Sequence, residues 1–407
     1  MADLSSYEFR PARAEEMRDF HRLVRYVFAD NSTPSADEEA KDPIKPEMTT
    51  IALHRGKLVA TSGGFPFRMR LNGVEVKADG VTAVGTDPGH RRRGIVRHLI
   101  TQRLKLAHSE GVPASILWAS MGAIYQRFGY GLASSMYSYR FEPRLAAFQF
   151  GNESPTGWVA RVDREVALPI VEELYDDFHK ERNLMLYRPP IVWKEGYLEG
   201  KRKFHFAIHY DQGGTPDGYV SYRLREHTNT EDGPNQRFGI HDFIYGDMNS
   251  YRGLWHYIRS HDLVKEVHVY VPTDDPALSM LLEPRSLRAR WEEGIWMRVV
   301  DVQELAFQRN YQASGTASFE ILEDAECPWN VGSYCIESNG IEREVTRNAK
   351  NVDFRIGING LASLISGHTS LSGLCTAGRA EVSDAGKLPR LDSFFSCRYK
   401  PFCIDDF

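Results

Sequence analysis

Between Ala14 and Phe28, the apolar side chains Met17, Phe20, Leu23, Val24, Val27 and Phe28 recur every three or four positions, which predicts an amphipathic helix. Shorter runs predict strands at Tyr7–Arg10, Thr50–His54, Leu58–Thr61, Phe65–Leu71 and Gly80–Val84. Arg55-Gly56-Lys57 turns the chain between two of them, and Asn72-Gly73 is a strong hairpin signal. Asn31–Lys41 is polar and reads as a loop. A longer helix is predicted from Gly94 to His108, with Ile95, Leu99, Ile100 and Leu104 on one face and Gly111 to end it. An apolar strand, Pro113–Trp118, and a short helix around Ile124 follow.

The plan then repeats. Trp158–Val162 reads as a strand and Val166–Phe178 as a helix. Phe238–Tyr245, a loop and Tyr251–Ser260 mirror the strand, loop and helix at Val81 to Ile100. A shift of 159 positions lays Arg252-Gly253-Leu254 on Arg93-Gly94-Ile95. A weak internal repeat of this kind implies two copies of one α/β unit. A third segment begins near Val299, with a strand at Val352–Ile358 and a short helix at Gly360–Ser366, and the chain closes on Asp405-Asp406-Phe407. The expected units are 1–150, 151–298 and 299–407 of an α/β (α+β) chain.

With 407 residues, two or three domains are expected. The formal net charge of -5 does not favour nucleic acid as a partner, because phosphate binding needs a net basic face. No apolar run approaches the ~18 residues of a membrane span, so no membrane partner is expected. Met1 to Glu16 lacks the apolar core of a signal peptide, which points to a cytoplasmic protein. The five cysteines, Cys327, Cys335, Cys375, Cys397 and Cys403, form no CxxC pair, and no histidine is spaced to complete a zinc site. They read as free thiols in a reducing compartment, with no metal.

The most informative segment is Val84-Gly85-Thr86-Asp87-Pro88-Gly89-His90-Arg91-Arg92-Arg93-Gly94-Ile95-Val96. A strand ends, a loop turns and a helix begins. The first turn of a helix offers unpaired N–H groups and a positive dipole end to an anion. Arginines add charge-assisted bonds to a pyrophosphate, and Gly94 allows the backbone close. The segment is neither a Walker A loop nor a GxGxxG turn. Arg91-x-x-Gly94-x-Val96 resembles the acetyl-CoA loop of the GNAT acyltransferases, with Val96 standing where that family has Gly or Ala. The bland reading is a basic helix start facing solvent. The second segment, Trp118 to Gly131, holds Tyr125 on its short helix. A tyrosine there is placed to protonate a departing thiolate. Packing beside Phe128 and Tyr130 is the competing reading.

Together, HRRRG at 90–94, IYQRFGYG at 124–131 and the terminal Asp-Asp-Phe resemble the enhanced intracellular survival (Eis) acetyltransferases. Tyr187-Arg188-Pro189-Pro190 with Trp193, and Pro272-Thr273-Asp274-Asp275-Pro276 with Trp296, extend the resemblance over nearly the whole chain. It implies an N-terminal GNAT domain, a central degenerate GNAT domain and a C-terminal domain like sterol carrier protein, assembled as a homohexamer. It implies acetyl-CoA as co-substrate, held by Val84, Gly85, Thr86, Arg91, Arg92, Arg93, Gly94, Ile95, Val96, Arg97, Ser120 and Met121. It implies Tyr125 as general acid and the terminal α-carboxylate of Phe407 as general base.

An α-carboxyl has a reference pKa of about 3.5, so it is a weak base that must act by geometry in a desolvating site. Fraying is the usual fate of a terminus, but Phe402-Cys403-Ile404 is apolar enough to dock. The expected mechanism is direct transfer: the amine attacks the thioester, a backbone N–H near Val84 steadies the oxyanion, and Tyr125 protonates the thiolate. No cysteine lies near the loop in sequence, which argues against a covalent acyl-enzyme. At the shifted positions, Ser250, Tyr251 and Trp255 replace Arg91, Arg92 and Val96, and Asp247 adds negative charge, so the central copy is expected to bind no CoA. A cationic amine calls for acids and an aromatic face: Asp30, Asp406 and Phe28 are the candidates. The resemblance suggests a multi-amine small molecule such as an aminoglycoside, or a lysine side chain. The rival reading makes the third unit the functional end, binding a lipid or another apolar ligand.

Overall fold

The computed structural model describes residues 4–32, 43–149, 155–198, 203–225, 229–231 and 233–407. Most of the predicted loop Asn31–Lys41 lies outside them. Three large sheets organise the described residues, beside a two-stranded ribbon of Asn229–Thr230 and Gly233–Pro234. The first is built from β1 (Tyr7–Arg10), β2 (Thr49–His54), β3 (Lys57–Leu71), β4 (Val74–Thr86), β5 (Ala114–Trp118) and β6 (Gly131–Leu132), with one further strand described below. Asn72 and Gly73, at φ 51° and 88°, make the tight turn that closes the β3–β4 hairpin, as the Asn-Gly pair predicts. β3 runs unbroken for 15 residues where two strands were expected. Gly64 lies between the two expected strands, where a side chain would overlap the Arg103 guanidinium, which pairs with Asp79. The glycine makes room for an arginine and does not end the strand.

Helix α1 (Met17–Val27) buries Phe20 and Leu23, and packs Phe20 and Val24 beside Ile51, Leu53 and Ala83. Helix α2 (Ile95–Ser109) buries Ile95, Leu99, Ile100 and Leu104, the stripe read from its spacing. Each such side chain is worth about 1.5–3 kcal/mol of burial. The short helix α3 (Gly122–Gln126) follows β5.

The second sheet repeats the first. It comprises β7 (Ser135–Phe141), β8 (Trp158–Val162), β9 (His205–Tyr210), β10 (Pro216–Arg225), β11 (Gln236–Tyr245), β12 (Val264–Pro272) and β13 (Arg290–Glu293), with helices α4 (Arg164–Lys180) and α5 (Met248–Arg259). Its order is β8-β9-β10-β11-β12-β7-β13. The strand completing the first sheet is β14 (Ile295–Val299), giving β1-β2-β3-β4-β5-β14-β6. Position by position the sheets correspond, each with one parallel pair, β4 with β5 and β11 with β12. They also exchange strands. β7 comes before the central helices yet pairs with β12, and β14 comes after them yet pairs with β5.

The third sheet has the order β17-β16-β15-β18-β19, from β15 (Gly315–Ile321), β16 (Gly332–Ser338), β17 (Arg343–Arg347), β18 (Phe354–Ile356) and β19 (Ala380–Val382). Helix α6 (Val302–Gln308) precedes it, and α7 (Ile358–Ile365) follows β18. α7 packs on β14 and β6, so Leu361 and Leu364 share one apolar cluster with Ile116 and Met297 of the first sheet. Among the described residues, no helix is long and apolar enough to cross a membrane.

Candidate active site

β4 and β5 pair only from Ala78 to Gly80 against Ala114 to Ile116. Beyond that they diverge, because β5 takes β14 on its other side while β4 stays with β3 as far as Thr86. Ala83 sits at φ 52°, where the β3–β4 register slips between Thr61 and Gly63, and Thr61 Oγ1 donates to the Ala83 carbonyl at 2.8 Å. A non-glycine residue in the left-handed region marks a built bulge. On its β5 side the backbone of Val84 to Thr86 therefore faces a gap instead of a ladder.

The loop after β4 is tied down locally. Asp87 accepts the Gly89 N–H at 2.9 Å, and Arg91 Nε donates back to the Thr86 carbonyl at 3.1 Å. Gly94 caps α2 at φ 82°, a conformation that a side chain would strain. The first-turn N–H groups of α2, Arg91, Arg92, Arg97 and Arg127 all border a cleft of about 620 Å³, with Val84, Gly85, Thr86, Ser120, Met121 and Tyr125. Its cationic wall and helix start suit a pyrophosphate. Thr86 Oγ1 is buried at its floor without a hydrogen-bond partner among the described residues.

Two arginines behave differently from the expectation. Arg93 turns from the cleft, donating to Tyr7 Oη at 3.3 Å and to the Gly89 carbonyl at 3.1 Å, so it braces the loop. Arg97 borders the cleft but is paired with buried Glu326 from the third unit, which Thr101 also contacts. Arg127 was not anticipated; it lies beside Tyr125 in the second motif.

Tyr125 is 7% exposed, and burial pushes its phenol up to about 12. It therefore holds its proton throughout the physiological range. Distant segments aim its helix. A side chain at Gly122 would overlap the Trp296 ring. Buried Arg298 donates to the Phe128 carbonyl at 2.8 Å while gripping Asp324 at 2.5 and 2.6 Å, and Asn359 Nδ2 donates to the Gln126 carbonyl at 3.0 Å.

A second hollow, of about 580 Å³, joins the cleft at Phe28, Val84, Ser120 and Tyr125. It is also lined by His21, Arg25, Asp30, Trp118 and Phe407. Bonds from the Ser32 N–H and hydroxyl, at 2.9 and 3.0 Å, hold the Asp30 carboxyl below its usual range. The Phe407 ring meets Phe67 edge-on at 4.7 Å. Asp406, expected beside the acceptor, is exposed and not among the residues lining this hollow. Asp405 is the acid that turns inward. Trp118 Nε1 donates to its carbonyl at 2.8 Å, and Arg188 Nε to its carboxylate at 2.7 Å. Asp405, Asp242 and the grip of Arg188 were not anticipated as parts of the site. Among the described residues no cysteine lines either hollow, and the five cysteines are unpaired by disulfides.

The equivalent start of α5 is closed by its own side chains. Asp247 accepts the N–H groups of Asn249 and Ser250 at 2.9 and 2.8 Å, where a phosphate would sit. Trp255 stacks on Phe141 at 5.0 Å.

Family models of the acetyltransferase (GNAT) domain match residues 8–133 and again 184–299, and a sterol carrier protein domain matches 302–404. An uncharacterized N-acetyltransferase of Streptomyces griseus is 26% identical over 420 residues, covering 99% of this chain and all of that one. The N-acetyltransferase Eis of Mycobacterium tuberculosis is 25% identical over 336 residues, 79% of each chain. The fold matches the crystal structure of Eis1 from Mycobacterium abscessus with a TM-score of 0.84 at 23% identity, over 98% of this chain and all of that one. It matches a GCN5-related N-acetyltransferase from Anabaena variabilis with a TM-score of 0.85 at 20% identity, with the same coverage. The GNAT fold implies acetyl-CoA as co-substrate, which the cleft's cationic wall and unpartnered Thr86 hydroxyl fit. With two GNAT units, the second closed at its helix start, and a sterol-carrier-like third, the chain is an Eis-like N-acetyltransferase of the GNAT family.

Proposed function

We propose that this acetyltransferase acts by direct transfer on an amine of a polycationic small molecule, aminoglycoside-like in class, with protein lysine side chains as a second acceptor. One observation carries the reading: Tyr125 and the terminal residue Phe407 line the same hollow, which opens into the basic cleft. The backbone of Val84, Gly85 and Thr86 would hold the pantetheine arm. Arg91, Arg92 and the helix start Gly94 to Arg97 would hold the pyrophosphate, with Arg93 bracing the loop. Ser120 and Met121 border the reacting end. Acetyl-CoA supplies an activated thioester. The Phe407 α-carboxylate receives the amine's proton, and a backbone N–H near Val84 steadies the developing oxyanion. Tyr125, neutral by burial, gives its proton to the departing thiolate. The five cysteines lie between 327 and 403, and among the described residues none lines either hollow, which supports direct transfer. Asp30, Phe28 and the terminal carboxylate offer the cation its partners, while exposed Asp406 is assigned the approach to them.

The same reading keeps the units 1–150, 151–298 and 299–407 as stretches of sequence, although β7 and β14 are exchanged between the first two sheets and β14 crosses the second boundary. It also keeps a homohexamer and a cytoplasmic location, and assigns the central copy no CoA. Against the rival of an apolar-ligand carrier stands the interior of the third unit, where Phe319, Tyr334, Leu361 and Phe394 are buried against one another's cluster.

The test is thiol release from acetyl-CoA with polyamines, aminoglycosides and a lysine peptide, beside Tyr125→Phe. Release with several amines, and a loss of about 100-fold in kcat on substitution, is expected. Full activity of Tyr125→Phe would remove the phenol from the mechanism.

A further inference from the structure

We infer that Arg188 is a positioning residue: anchored on Asp242 of the central unit, it latches Asp405 and thereby sets where the terminal carboxylate lies. The inference rests on the reading of Phe407 as base. The anchor is rigid. Asp242 is fully buried on β11 and receives Arg188 Nη1 and Nη2 at 3.0 and 2.8 Å, Tyr197 Oη at 2.9 Å and Tyr219 Oη at 3.2 Å. Burial alone would raise the Asp242 carboxyl, but the Arg188 charge overrides it and holds it well below the usual range. The guanidinium lies 4.0 Å over the Tyr175 ring, which leaves its Nε aimed at Asp405.

The latch is shared between units. Asp405 takes Arg188 Nε at 2.7 Å on its carboxylate and Trp118 Nε1 at 2.8 Å on its carbonyl; Tyr175 Oη, which donates to the Leu186 carbonyl at 2.8 Å, lies 3.3 Å from the same carboxylate. Trp118 ends β5 and lines the acceptor hollow. Upstream, the Phe402 N–H donates to the Asn183 carbonyl at 2.9 Å. Between the latch and the carboxylate lie only two residues, a reach of roughly 7 Å. Release of Asp405 therefore frees the base by ångströms, and misplacement of about 1 Å costs on the order of 100-fold in rate. A buried ion triad is poor value for stability compared with apolar packing, so its directional use is the better account of it. A degenerate catalytic copy thus serves the active copy by holding its base.

The experiment uses the full chain with Asp405→Ala, which leaves the Arg188–Asp242 pair whole, and Asp405→Asn as the conservative variant. Two readouts are taken: kcat and KM with acetyl-CoA and an accepted amine, and the rate at which carboxypeptidase removes Phe407 from the native protein. Expected for Asp405→Ala are faster removal of Phe407 and a kcat lower by about 100-fold, with KM for acetyl-CoA within about twofold; Asp405→Asn falls between. Unchanged removal of Phe407 overturns the latch, whatever the rate does. Faster removal with unchanged kcat supports the latch and instead sinks the terminal carboxylate as base.

Discussion

The phenol of Tyr125 is the residue whose chemistry depends most on its setting. Burial raises it to about 12 from an ordinary value of 10. The folded value lies above the unfolded one, so the neutral phenol's contribution is complete below pH 10. It is lost as pH rises through about 12. As an acid, Tyr125 therefore does not titrate in the working range, and the ratio of kcat between the parent and Tyr125→Phe should stay constant from about pH 7 to 10. A pH–rate comparison of the two proteins checks this; a ratio that falls towards one with a midpoint below 10 would mean the phenol is not shielded. At this scale the sequence was informative where a motif is local. Arg91, Gly94 and Tyr125 border the cleft or cap its helix, as their spacing implies. It misled where one position of rotation decides. Arg93 turns to Tyr7, and Asp405 points inward in place of Asp406, choices made by partners 86 and 217 residues away.

Helix starts carry the contrast between the two copies. α2 begins at a left-handed glycine with no side-chain cap and leaves its N–H groups to the cleft. α5 begins at Asp247, whose carboxylate takes two of those groups for itself. Removing that cap by Asp247→Ala should cost about 1 kcal/mol in chemical denaturation. It should not create acetyl-CoA binding by calorimetry, because Ser250 and Tyr251 still stand where the first copy has Arg91 and Arg92. A measurable affinity in that variant, silenced neither by mutation of Arg91 nor of Arg92, would show that the central copy retains a latent site. Most elements were legible from periodicity because their buried faces are local: the α2 stripe is buried as spaced, while α1 buries Phe20 and Leu23, leaves Met17, Val24 and Val27 half-buried and ends before Phe28, which is exposed. The placement of α3 was not, since Trp296, Arg298 and Asn359 set it from more than 160 residues away in sequence.

The exchange of β7 and β14 makes the two GNAT sheets one folding problem. No strand is expected from the sequence at Ile-Trp-Met-Arg-Val, 295–299, where Arg298 interrupts the apolar run, and nothing in its pattern says which sheet would receive it. That choice belongs to tertiary packing: β14 is buried along its whole length between β5 and β6, under α7. A fragment of residues 1–150 lacks β14 and α7, so β5 loses an antiparallel neighbour and Ile116 loses its cover. Burial of Ile295, Met297 and Val299 alone is worth roughly 5–9 kcal/mol, as much as the whole stability of many domains. The fragment should therefore be insoluble or lack a cooperative melt by circular dichroism, and co-expression with residues 151–407 should recover soluble complex. A soluble 1–150 fragment with its own sharp melt and acetyl-CoA affinity would show that the first sheet does not need the strand it borrows. The active site would then be separable from the units that hold its base.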